Sequence, residues 1–105
     1  MQDELERGLE KQKMRYHTLR TLYNRNQTSD WLLGEFFDIA EHEAISRQEA
    51  EEVLLYLEGE GLIERRSQGE SGAITTKGIL EVEQSIREPQ KPTQHFSPTV
   101  IQSSL

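Results

Sequence analysis

Cysteine is absent from this 105-residue chain, which excludes a disulfide framework, a thiolate nucleophile and a cysteine-ligated zinc. Long apolar runs are absent too. Nothing approaches the roughly 20 apolar residues of a membrane span, and the start Met1-Gln2-Asp3-Glu4 lacks the apolar stretch of a signal peptide. The expectation is a soluble, cytoplasmic protein with no membrane partner. Proline is withheld from most of the chain, since Pro89, Pro92 and Pro98 are the only three. That divides it into a domain over residues 1–88 and a Pro-containing extended tail over 89–105. Large apolar residues are scarce as well: Leu, Ile, Val and Phe number 25 of 105. That share lies just above the roughly 20% below which disorder prevails, so one small core is expected.

Bases are outnumbered, 12 Lys and Arg against 19 Asp and Glu, for a formal charge of −7. Nucleic acid and anionic lipid carry the same sign and are disfavoured as generic partners. The imbalance is local: residues 27–60 hold ten acids and a single base, Arg47, whereas residues 1–26 hold six bases and four acids. No nucleophile elbow or glycine-rich phosphate loop appears. Gly59-x-Gly61 closes a helix and precedes a strand, the reverse of the order in a dinucleotide fingerprint. Asp38, Glu41 and His42 could share a helix flank. A solvated i,i+4 pair at a helix C-terminus explains Asp38 and His42 better than a metal does. No catalytic, cofactor-binding or metal-ligating set is assigned, and an enzyme is not expected.

What is present is helical periodicity. From Asp3 to about Arg25, Leu5, Leu9, Tyr16, Leu19, Leu22 and Tyr23 recur at helical spacing, thinly at the N-terminal end. Ser29 reads as an N-cap, with Leu32, Leu33, Phe36, Phe37 and Ala40 as the wide apolar face of a second helix ending near His42. Ser46-Arg47-Gln48-Glu49 is a capping box ahead of a third helix with Ala50, Val53, Leu54 and Leu57 as its stripe. Gly59 and Gly61 end it. Leu62 to Arg66 reads as a strand, Ser67 to Gly72 as a turn and Ala73 to Thr75 as the return strand. Thr76 then caps a last helix to about Arg87, with Ile79, Leu80, Val82 and Ile86 apolar. The fold class is therefore mainly α with a small β-hairpin, in the order α-α-α-β-β-α. Leu33, Phe37, Val53, Leu54, Leu57, Leu62, Ile74 and Ile79 are its expected core. In the tail, Phe96, Val100, Ile101 and Leu105 are apolar, and Thr99-Val100-Ile101-Gln102 is β-prone, suited to a strand or strap on a neighbour.

Two stretches carry a resemblance. Leu54-Leu55-Tyr56-Leu57-Glu58-Gly59-Glu60-Gly61-Leu62-Ile63 is similar to the L-x-x-L-x-x-x-G-L-I junction between recognition helix and wing strand. Ile74-Thr75-Thr76-Lys77-Gly78 is similar to the I-T-x-x-G step that closes a wing. Over residues 15–88 the chain resembles the winged helix-turn-helix of transcriptional regulators. In that family the third helix enters the major groove. The resemblance places Arg47, Gln48, Glu51 and Glu52 on that helix's exposed face, with Arg65, Arg66 and Lys77 at the wing. Arg47 and Gln48 suit base edges, whereas Glu51 and Glu52 oppose phosphates. Two functions follow. The first is a non-enzymatic regulatory interaction module whose acidic third helix contacts another protein, assembled as a homodimer through Leu5, Leu9, Trp31, Val82 and Ile86. The alternative is a sequence-specific DNA-binding transcriptional regulator working through Arg47, Gln48, Arg65 and Arg66.

Overall fold

The computed structural model describes residues 2–26 and 29–104. The chain is mainly helical with a small antiparallel sheet of three strands. A long helix α1 (Gln2–Asn26) is followed by β1 (Trp31–Leu32), α2 (Leu33–His42) and α3 (Arg47–Gly59). Strands β2 (Ile63–Arg66) and β3 (Ser71–Ile74) flank one 3₁₀ turn, and α4 (Thr76–Arg87) and α5 (Pro98–Gln102) complete it. The sheet order is β1-β3-β2, with Ile63 opposite Ile74 and Arg66 opposite Ser71. No helix among the described residues is long and apolar enough to cross a membrane.

The elements begin and end where local chemistry directs. Ser46 Oγ accepts from the Glu49 amide at 3.1 Å, and Glu49 Oε1 accepts from the Ser46 amide at 3.2 Å, the reciprocal box that satisfies two orphan donors of α3. At its other end Gly61 adopts φ 75°, and the Leu62 amide returns to the Leu57 carbonyl at 2.9 Å. The cap of α4 is Thr75 rather than Thr76. Its Oγ1 accepts from the Gly78 amide at 3.0 Å and donates to the Gly61 carbonyl at 2.7 Å, which ties the start of α4 to the end of α3.

Further expectations are corrected. Ser29 does not start α2. The chain there runs extended, with Trp31 opposite Gly72 and the Leu33 amide bonded to the Glu70 carbonyl at 2.9 Å. The pairing adds a strand to the hairpin and delays the helix to Leu33. Trp31 is 1% exposed, so it is core rather than interface; its ring lies so close over Gly72 that a Cβ there would collide with it. Val82 is likewise fully buried. Among the expected core, Val53, Leu54, Leu57, Leu62 and Ile74 are buried, whereas Leu33, Phe37 and Ile79 are only partly buried against it. Finally, the β-prone tail segment is helical. Ser97 caps α5 and Pro98 takes its first position, while Phe96, Val100 and Ile101 enter the same core as Tyr16 and Leu19.

Candidate interaction surface

Helix α3 presents two faces. Ala50, Val53, Leu54 and Leu57 are buried. Gln48, Glu51, Glu52, Leu55, Glu58 and Gly59 lie on the other face and are all exposed, since their spacings of three and four residues line one side of a helix. Leu55, 60% exposed, sits in the middle of this stripe. Among the described residues, Glu51, Glu52 and Glu58 enter no ion pair. The one base of the helix, Arg47, has its guanidinium 4.3 Å from the Phe37 ring centroid, drawn toward α2.

The bases of the hairpin are also engaged. Arg66 Nη1 donates to Asp30 Oδ1 at 2.7 Å and its Nε to Glu64 Oε1 at 2.8 Å. These carboxylates, Glu64 first, push its pKa further above the usual guanidinium value. Arg65 donates to the Gly69 carbonyl at 3.4 Å, across the turn between β2 and β3. Lys77 donates to the Glu60 carbonyl at 3.0 Å, where a cation suits the C-terminal end of α3. The sequence places Arg65 and Arg66 in the hairpin, with Glu64 as a near partner that Arg66 does engage, but it gives no sign of Asp30. Asp30 lies 36 residues from Arg66, and only the β1–β3 pairing brings them together.

Of the remaining singled-out residues, Leu5 is 77% exposed, Leu9 is half-buried against the core, and Ile86 is exposed on α4, as is Leu80. Asp38, Glu41 and His42 are exposed on α2, and among the described residues no three His, Asp or Glu side chains gather as a metal could use. His17 Nε2 meets Glu43 Oε2 at 2.8 Å.

One charged cluster escaped the sequence altogether. The His95 side chain is 6% exposed, with Nδ1 3.6 Å from Glu60 Oε2, and its backbone N–H donates to buried Glu81 at 3.1 Å. Nearby, the Arg15 guanidinium stacks 3.8 Å from the Tyr56 ring centroid. Burial first, then Glu60 and Glu81, raise the Tyr56 phenol pKa, while Arg15 opposes them. These groups come from α1, α3, α4 and the tail, so no local motif could have announced them.

No family model, curated protein or solved structure matches the chain.

Proposed function

We propose that this protein is a non-enzymatic regulatory interaction module built on a winged helix-turn-helix scaffold, acting through protein contacts rather than by reading DNA. The scaffold reading is supported by the element order from α1 to α4, by the antiparallel hairpin packed after α3, and by the L-x-x-L-x-x-x-G-L-I and I-T-x-x-G stretches at its junctions.

One observation carries the choice between protein and DNA. Arg47, Arg65, Arg66 and Lys77, the cations that a groove-reading domain would aim at phosphates, are each engaged by groups of their own chain. Asp30 and Glu64 already neutralise Arg66, and a phosphate drawn to it would meet both carboxylates. What α3 offers outward is glutamate and leucine, which repel a polyanion and suit a protein surface.

Anisotropy of a labelled random duplex, titrated with the whole chain at low ionic strength, tests the reading where electrostatic attraction is strongest. The expected result is no salt-sensitive binding. Submicromolar binding that Arg65→Ala with Arg66→Ala abolishes would establish the DNA-binding regulator instead.

A further inference from the structure

Building on that reading of α3, we infer that its outward stripe docks a cationic amphipathic helix, with an apolar side chain of the partner seated on Leu55 in the notch left by Gly59. Leu55 is a large aliphatic side chain, more than half exposed, fixed on a rigid helix between Glu51 and Glu52 on one side and Glu58 on the other. Gly59 lies one turn beyond it on the same face. Its backbone is helical, and a Cβ there would meet nothing within 4 Å. Neither φ nor crowding therefore requires glycine at 59, although glycine is a poorer helix former than alanine. The missing side chain leaves open space beside Leu55. Space of that kind lets a second helix approach closely, because interaxial distance is set by the side chains at the contact.

Charge selects the partner. The stripe's charged residues are all acidic, they lack ion-pair partners among the described residues, and Arg47 is turned away onto Phe37. From Gln48 to Gly59 the stripe runs roughly 17 Å, the length of about three helical turns. A partner helix with Lys or Arg flanking one apolar position at three- and four-residue spacing matches it. Exposed ion pairs add little affinity individually, so the contact at Leu55 anchors the complex while the glutamates set register and association rate.

The probe is a capped synthetic helix of about 16 residues built from Lys, Leu and Ala, with its leucines on one face and lysines beside them. A scrambled isomer of equal composition is the control, both measured against the whole chain by anisotropy at low and moderate salt. The patterned peptide should bind at least about tenfold more tightly than the isomer. Leu55→Asp and Gly59→Leu should each weaken it about tenfold or more. Gly59→Leu improves helix propensity, so a loss of binding with an unreduced thermal midpoint separates docking from folding. Equal binding of the two peptides, or indifference to both substitutions, would reduce the stripe to unspecific charge and overturn the inference. Failure of both peptides, with the duplex also unbound, would overturn the cationic partner and leave the protein-contact reading standing. Duplex binding through Arg65 and Arg66 would instead remove that reading itself.

Discussion

Tyr56 has one hydroxyl on which burial, two carboxylates and a stacked guanidinium act together. The first three influences favour the neutral phenol, and Arg15 opposes them less strongly than burial and Glu60 act. The folded chain therefore holds this proton above the ordinary value of 10.0, where the unfolded chain releases it. Between those two pKa values the folded state binds more protons than the unfolded one. Stability accordingly falls as pH rises past 10, and the loss stops once both states are ionised. Tyr56→Phe removes the titrating group. Denaturant midpoints of wild type and variant should hold a constant difference up to about pH 10 and then shift against the wild type. A constant difference throughout the alkaline range would contradict the placement of Tyr56 between Glu60 and Arg15. Nothing near residue 56 in the sequence foretells this, because Arg15 and Glu81 approach from other helices. Trp31 shows the same limit: its neighbours in sequence suggest a helix start, and only Gly72, supplied by β3, reveals the slot it fills.

Elements were legible in proportion to how locally they are determined. The capping box at Ser46, the turn at Gly61 and the buried stripe of α3 depend on residues within a few positions of one another, and the structure contains all three. β1 is two residues long and exists only by pairing with β3, so no periodicity could announce it. The tail divides between the two cases. Ser97-Pro98 is a helix-start signal that the β-branched run after it concealed, and burial against α1 decides in favour of the helix. That packing makes the tail part of the core's support. Phe96 meets Tyr16 edge-to-face at 5.1 Å, and the Tyr16 hydroxyl is bonded to Ser85 at 2.6 Å. The segment around Phe96 is pinned through Thr93 and Glu81. Phe96→Ala should cost roughly 3–5 kcal/mol in chemical denaturation, the range for a buried phenylalanine. In a domain with so few large apolar residues, that loss is comparable with the whole stability. A midpoint unchanged by the substitution would mean that the tail is dispensable.

At the scale of the molecule, α1 is out of proportion to the core it serves. Its 25 residues span about 37 Å, nearly the full 38 Å of the longest axis, yet its fully covered apolar residues lie between Tyr16 and Leu22. Leu9 continues that stripe half-buried, and Leu5 carries it into solvent. On α4, Leu80 and Ile86 remain uncovered, whereas Val82, which the sequence offered to a dimer, is consumed by the core. Apolar residues continuous with a buried stripe but left uncovered favour a second surface, and a two-fold homodimer is the commonest arrangement for it. The surfaces can be separated because Leu5 lies near the start of α1, while Ile86 lines a depression with Tyr23 near its end. Sedimentation equilibrium should show self-association at concentrations on the order of tens of micromolar. If α1 makes the contact, Leu5→Glu dissociates the dimer and Ile86→Glu does not; the converse assigns it to α4. Both positions are exposed, so neither substitution buries a charge in the monomer and thermal midpoints should move little. A monomer over the whole concentration range would rule out the homodimer and leave α3's stripe as the remaining docking face.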